Sequence, residues 1–366
     1  MKQTLLWDEC PGEVRAGLLE DGKLVELRIF RPQASSLLPT TIYTARIKQR
    51  LGGGKAIVDL GSLIEAQLEN APDKPEGHLL AVELVRSAIP EPGRWKLPLV
   101  RTAPDVLAQS TVGLHPGQEP RKWFVSRMLE SVDEVVCANA NVARDLRSDI
   151  ADEGLRISID PERIEQADLD SLVESAVSGE FAIDGGVVSI ERTRAMTMID
   201  IDGSGDPVAL NLAAAREIPR LLRLLDIGGQ VGIDFLAMPD RAARQTLDSA
   251  LATACVHLGP HERTAANGFG FVQIIRPRHG PSVPEILCGI TPGRLSVESR
   301  AVALLRAATR SHGHGKRRMV SSPAVIEKLQ AWPTEIEKLR KTLGTEIELV
   351  PDSSATGYGH VHVSQT

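Results

Sequence analysis

Apolar and polar residues alternate through TLLWDEC (residues 4–10) and again through EVRAGLLEDGKLVELRIF (13–30), where Glu-Asp-Gly separates two such runs. Alternation is the period of a half-buried strand, and Asp-Gly between two strands marks a hairpin. Five further short runs follow up to residue 101: TIYTARIKQRL, KAIVDLG, IEAQLE, HLLAVELVRSAI and RWKLPLVR, with glycine and proline clusters between them. Short strands packed this densely along the chain predict a small closed barrel, with an OB-type barrel the natural candidate. Residues 101–130 lack a period and read as an irregular connector. VDEVVCAN (132–139) reads as a short buried strand, and PERIEQADLDSLVESAVSGEF (161–181) as helical over its middle.

The pattern then changes. DGGVVSIERTRAMTMIDIDG (184–203) predicts a hairpin turning at Arg-Thr-Arg. NLAAAREIPRLLRLLDIGG (211–229) has helical spacing, with Leu212, Ile218, Leu221, Leu222 and Leu225 on one face. Asn211 reads as its N-cap, Pro219 should kink it, and Gly228-Gly229 end it. QVGIDFLAM (230–238) predicts a strand, PDRAARQTLDSALATAC (239–255) a helix, and FGFVQIIRPR (269–278) another strand. The segment 295–366 reads as a small α/β unit, with helices near 297–310 and 323–342 and a strand at EIELVP. No internal repeat is present.

Composition narrows the classes. The 366 residues suffice for two or three domains with cores of their own. A net charge of −6 excludes a general basic field, so a polyanion would need local basic patches or bridging metal ions. Aromatics at 3% argue against a broad stacking platform for single strands. Cys10, Cys137, Cys255 and Cys288 show no CxxC spacing, which argues against a disulfide framework or a cysteine-rich metal site. The first residues carry acids where a signal peptide would be apolar, and no apolar run reaches the length of a membrane span. The expectation is a cytoplasmic protein with no membrane partner.

The carboxylates in MTMIDID and VGIDF give the chemical lead. Strand alternation puts Asp200 and Asp202 on one face and Ile199 and Ile201 on the other. Val231, Ile233 and Phe235 likewise share a face, with Asp234 opposite. One helix lies between, the connection that joins neighbouring parallel strands. Asp200 and Asp234 would then meet at the carboxyl ends of adjacent strands, where α/β sheets carry their sites. Two close carboxylates repel unless protonated or bridged by a cation. Mg²⁺ suits them, and such an ion activates water and neutralises phosphoryl charge. The plainer reading is that these are solvated strand-end residues, and the pattern alone leaves both open.

MTMIDIDGSG, ALNLAAAREIPRLLRLLDIGGQVGIDF and the flanking residues from 184 to 278 resemble the catalytic deoxyribonuclease-I-like subdomain of the ribonuclease E/G family. TARIKQRLGGGKAIVDLG resembles the start of that family's OB-type RNA-binding barrel, and PAVIEKLQAWPTEIEKLRKTLGTEIELV its C-terminal small domain. The resemblance implies an α/β chain of several subdomains. Residues 1–38 would be N-terminal strands of a ribonuclease-H-like part, and 39–101 an inserted OB-type barrel. Residues 102–180 would be a connector with a reduced ribonuclease-H-like or sensor part, 181–290 the catalytic subdomain, and 291–366 the small domain. It implies endonucleolytic hydrolysis of single-stranded RNA in RNA processing or decay, leaving 5′-phosphate and 3′-hydroxyl ends. Mg²⁺, with Mn²⁺ as a substitute, would be held by Asp200 and Asp234, with Asp202 as a third catalytic position. Arg276 and Arg278, after the catalytic sheet, and Lys55, in the barrel, are candidate RNA contacts.

The chain departs from the family pattern in four places. Asp202 stands where the family has Asn, and a carboxylate cannot donate a hydrogen bond to phosphate. The Cys-Pro-x-Cys zinc link is reduced to LCGITPG, with Cys288 alone, so no structural zinc and no zinc-linked tetramer is expected; a homo-oligomer of another kind stays open. Ile57, Leu60 and Gln67 replace barrel aromatics, which weakens base stacking. The Arg101-Thr102 pair resembles that of the family's 5′-monophosphate pocket, but it directly follows GRWKLP, which fits the last barrel strand. The basic run RSHGHGKRRM (310–319) could grip RNA backbone or be a solvated loop. A non-catalytic or weakly active RNA-binding protein on the same scaffold is the alternative. An assembly factor that uses no RNA is a third class, disfavoured by the presence of both Asp200 and Asp234.

Overall fold

The computed structural model describes residues 2–32, 37–150 and 154–364. The chain opens with strands β1 (Gln3–Cys10), β2 (Glu13–Glu20) and β3 (Lys23–Phe30). The β2–β3 turn places Asp21 and Gly22 at φ 47° and 84°, the left-handed pair that a two-residue hairpin needs. Next come β4 (Ile42–Leu51), β5 (Lys55–Asp59), β6 (Glu65–Leu68) and β7 (Leu79–Arg86). A small hairpin of β8 (Ile89–Glu91) and β9 (Arg94–Lys96) precedes β10 (Leu99–Thr102). Strands β4, β5, β6, β10 and β7 pair in that order, and β7 returns to β4, closing a barrel. Only β6 and β10 run parallel. Its interior holds Tyr43, Ile47, Val58, Leu60, Leu68, Val82, Leu84 and Val100.

After β11 (Gly113–Leu114), which pairs with β4, the chain forms α1 (Pro120–Met128), β12 (Glu134–Cys137), α2 (Ala140–Asp149) and β13 (Arg156–Ile159). Strands β12 and β13 join the opening strands in one sheet, ordered β13-β12-β1-β2-β3, so the barrel is an insertion into that sheet. Helices α3 (Pro161–Gln166) and α4 (Leu169–Ser178) lead to the central sheet. It contains β14 (Glu180–Ile183), β15 (Gly186–Arg192), β16 (Thr197–Gly203), helix α5 (Pro207–Leu224), β17 (Gly229–Asp234), helix α6 (Arg241–Ala254), β18 (Glu262–Arg263) and β19 (Phe271–Arg276). The order is β14-β15-β16-β17-β19-β18, and β16–β17 is its parallel pair. Ile199, Ile201, Val231 and Ile233 pack one face against Ala214, Ile218, Leu221 and Leu222 of α5.

The chain continues through α7 (Val283–Cys288), α8 (Val297–Thr309), β20 (Arg317–Ser321), α9 (Pro323–Gln330), α10 (Pro333–Leu343), β21 (Ile347–Pro351) and β22 (His360–Val363). β20 lies between parallel β21 and antiparallel β22. A buried ionic network joins α8 to the N-terminal sheet. Glu13 accepts from Arg15 Nε at 2.8 Å, Arg31 Nη2 at 2.8 Å and Arg306 Nη2 at 3.3 Å, and Arg306 Nη1 reaches Asp8 at 2.6 Å. Burial opposes ionisation of Glu13, but its arginines overcome it and hold the carboxyl down at about 2. Among the described residues no helix is long and apolar enough to cross a membrane.

Several expectations need correction. RWKLPLVR is not one strand: it breaks at Leu97-Pro98, and barrel pairing resumes where the Pro98 carbonyl accepts from Gln67 N at 2.8 Å. The connector contains a helix, α1, begun by Pro120 and anchored by Phe124, Val125 and Met128. Segment 161–181 holds two helices, because Asp168 turns left-handed (φ 45°) and caps α4 through Ser171 N. The helix expected over 323–342 is also two, restarted by Pro333. Leu60 faces the barrel interior, so only Ile57 and Gln67, a cross-strand pair, occupy its outer surface. Leu212 is half-buried, while Ile218, Leu221, Leu222 and Leu225 form the packed face; α5 continues through Pro219.

Candidate active site

In the parallel β16–β17 pair, Asp200 stands directly opposite Asp234. Neighbouring strands lie about 4.8 Å apart, so the two side chains start from adjacent backbone positions on one face. Both are exposed, as is Asp202, two residues further along the same face. The alternation that buries Ile199, Ile201 and Ile233 against α5 is what sends these carboxylates the other way. The third acid of the segment has separate work. Asp206 is the N-cap of α5, accepting from Val208 N at 3.3 Å and Ala209 N at 3.1 Å.

Asn211 is therefore not the helix cap. It lies inside α5, 0% exposed, and clamps the chain leaving β17. Its Oδ1 accepts from Leu236 N at 3.0 Å, and its Nδ2 donates to Leu236 O at 2.8 Å and contacts Met238 Sδ at 3.1 Å. The clamp closes two residues beyond Asp234 and fixes the strand end that carries it. A lone Asn at the start of an apolar helical pattern gives the same signal as a cap, so the sequence could not separate the roles.

The other end of the loop is equally constrained. Asn267 Oδ1 accepts from Phe269 N at 2.9 Å and Phe271 N at 3.1 Å. Gly270 takes φ 88°, and a Cβ there would lie 2.5 Å from the Phe235 carbonyl oxygen, so only glycine fits. Phe271 is the cross-strand partner of Asp234.

The candidate RNA contacts fall elsewhere. Arg276 pairs with Gly229, at the far end of β17 from Asp234, which puts it ~17 Å away along the strand. Its guanidinium donates to the carbonyls of Leu222 (2.9 Å), Ile227 (2.5 Å) and Leu258 (3.1 Å), and so closes off the ends of two helical segments. Arg278 is ion-paired with Glu285, which also accepts from Ser282 N at 2.8 Å. Lys55 is half-exposed at the start of β5 and pairs with Glu69 at 3.6 Å. Arg101 forms a two-pronged pair with Glu83 on β7 at 2.8–3.0 Å. In the basic run, Arg317 is buried on the carbonyls of Gly313 and Gly315, and Arg310 pairs with Asp170 and Asp8. Cys288 is buried beside α5 and the central sheet, and burial raises its thiol pKa. Among the described residues no group of three or more His, Cys, Asp or Glu is arranged to hold a metal.

Residues 121–279 match the model of the Ribonuclease E/G family. Ribonuclease G of Escherichia coli (strain K12) is 30% identical over 189 residues, covering 44% of this chain and 37% of that protein. Ribonuclease E of Haemophilus influenzae is 35% identical over 135 residues, 34% of this chain and 14% of that protein. The chloroplastic ribonuclease E/G-like protein of Arabidopsis thaliana is 32% identical over 111 residues, 27% of this chain and 11% of that protein. The family model covers less than half of this chain, and the chain's match spans 37% of the length of the ribonuclease G relatives.

Proposed function

We propose that this chain is a ribonuclease E/G-type endoribonuclease that hydrolyses phosphodiester bonds in single-stranded RNA, in RNA processing or decay in the cytoplasm. The observation that carries the reading is the register of β16 on β17, with Asp200 opposite Asp234 on an exposed face. Like charges directly opposite each other on neighbouring strands destabilise a sheet. A divalent cation removes that cost. Two carboxylates without a third protein ligand suit Mg²⁺, which keeps much of its water and shares substrate phosphate oxygens; Mn²⁺ would substitute. When bound, the ion would supply charge neutralisation at the phosphate and a more acidic water.

The chain's own residues do the rest. Asp200 and Asp234 would hold the ion. Asn211 and Asn267 fix the strand ends so that the acids keep their spacing. Asp202 accepts hydrogen bonds but cannot donate one to phosphate, and it adds negative charge where RNA must approach. The closed barrel has the strand order and single parallel pair of an OB-type fold, and the sheet containing β1 and the sheet containing β16 correspond in this reading to the ribonuclease-H-like and deoxyribonuclease-I-like parts. The barrel's outer surface would bind RNA weakly, because Ile57 and Gln67 offer no rings and Lys55 is paired.

Asp202 favours the second reading, an RNA-binding protein of low or no activity. Cleavage of a single-stranded AU-rich RNA, with and without Mg²⁺ and with Asp234→Asn alongside, decides between them. Mg²⁺-dependent cuts that vanish in the variant support the nuclease. Binding without cuts at any Mg²⁺ or Mn²⁺ level refutes it.

A further inference from the structure

The chain has six phenylalanines. Phe30, Phe124, Phe181 and Phe235 are buried, each at most 8% exposed. The other two lie on the Asp234 side of the carboxylate pair, at and two residues before the β19 position opposite Asp234. Phe269 is 89% exposed, at the tip of the loop that Asn267 and Gly270 hold rigid. Phe271 is half-buried and stands opposite Asp234, and its ring leans across β17 onto Gly232. A Cβ at Gly232 would lie 2.7 Å from Phe271 Cζ and 3.0 Å from Met198 Sδ, so the glycine leaves room for the ring to lie on the strand. Met198 and Gly232 are themselves cross-strand partners, one pair back from Asp200 and Asp234.

A fully exposed ring on a fixed backbone costs solvation without contributing to a core. Three features identify what meets it. The rings sit within two residues of the strand position opposite Asp234. They are local, a pair of rings rather than a broad apolar surface of the kind that binds protein. Every nucleobase offers a π-face, whichever base it is. Resting on the nuclease reading above, we propose that Phe269 and Phe271 form a stacking platform for unpaired nucleobases next to the phosphate held at Asp200 and Asp234. The platform favours single strands, because in a duplex the faces of each base are covered by its stacked neighbours. It also replaces, at the catalytic sheet, the stacking that the aromatic-poor barrel lacks.

The test is binding of a fluorescein-labelled single-stranded oligoribonucleotide, followed by polarisation in an Asp234→Asn background so that the RNA stays intact. Phe269→Ala should weaken binding about 5- to 150-fold, the range for losing one base–aromatic stack, while Phe269→Trp retains it. Gly232→Val, which displaces the Phe271 ring, should weaken binding as well. An abasic site walked along the RNA should reproduce the loss at one position, with no added loss in Phe269→Ala. Binding within twofold of the parent for every variant overturns the platform. So does loss of self-association in Phe269→Ala with RNA affinity unchanged, which would make the ring a contact between copies. The nuclease reading is scored separately, by cleavage with Asp234 intact. Phe269-dependent binding without cleavage leaves the platform and sinks the nuclease; cleavage indifferent to Phe269 does the reverse.

Discussion

Replacing Asn211 with alanine removes both hydrogen bonds that hold the chain as it leaves β17, at 2.8 and 3.0 Å. The Leu236 N–H and C=O are then left in a partly buried site. Each unsatisfied backbone group costs roughly 1–3 kcal/mol, and because some water reaches Leu236 a total of about 2–4 kcal/mol is expected. Asn211→Asp is the sharper control. It keeps the volume and the acceptor for Leu236 N, but sets a buried carboxylate against the Leu236 carbonyl, so it should cost at least as much as alanine. The assay is amide hydrogen exchange over residues 234–240 together with urea unfolding. If opening is local, exchange at Leu236 should accelerate about 30- to 900-fold, the same energy expressed as an opening constant. Asp234 loses its fixed orientation in the same event, so kcat should fall more than KM rises. Unchanged protection at Leu236 and an unchanged urea midpoint in both variants would refute the clamp.

Asp202→Asn supplies a hydrogen-bond donor where the carboxylate has none and should raise kcat/KM on single-stranded RNA by up to about tenfold, worth about 1.4 kcal/mol; a fall instead would assign Asp202 to the metal. Asp200→Asn should abolish Mg²⁺-dependent cleavage without lowering the thermal midpoint in metal-free buffer, since it relieves repulsion between exposed, opposed charges. Glu13→Gln leaves buried arginines without their shared carboxylate and should destabilise by about 3–5 kcal/mol in urea unfolding. The same residue sets a pH window. Glu13 binds its proton more weakly in the native chain, with a value near 2 against an ordinary 4.5, so its stabilisation is complete above about 4.5 and is lost as the pH falls toward 2. Midpoints measured at pH 6 and pH 3 should therefore differ more in the wild type than in Glu13→Gln.

The hairpins, the barrel strands and the β16–α5–β17 unit were legible because each carries a strong period and a clear stop signal. Asp200 and Asp234 followed from alternation alone, since burying Ile199 and Ile233 leaves the acids no other face. What was hidden depends on partners distant in sequence. Asn211 looks like a cap until Leu236 is placed beside it, and Arg276 looks free until Leu222, Ile227 and Leu258 converge on it. Helix α1 carries its apolar residues mostly in one consecutive run, Trp123-Phe124-Val125, rather than at helical spacing, and is held by packing of Phe124 on Phe30 and Trp7, which no local window contains. Phe269 and Phe271 read as ordinary strand residues, because composition reports how many rings a chain has and not where they are left uncovered.

The barrel's position inside the N-terminal sheet sets an order of events during synthesis. Strand β1 needs β12 as its parallel neighbour, and Gln3 bonds to Asp133, 130 positions away. The barrel's strands find one another within residues 42–102. As the chain emerges from its N-terminus, the guest can close while the host still lacks two of its strands. A closed barrel then draws the ends of a long intervening segment together, so the host sheet forms by joining a much shorter effective loop. The inserted barrel thus acts as a folding device for the sheet around it, and a mutation that slows barrel closure should leave the first strands waiting with an exposed edge.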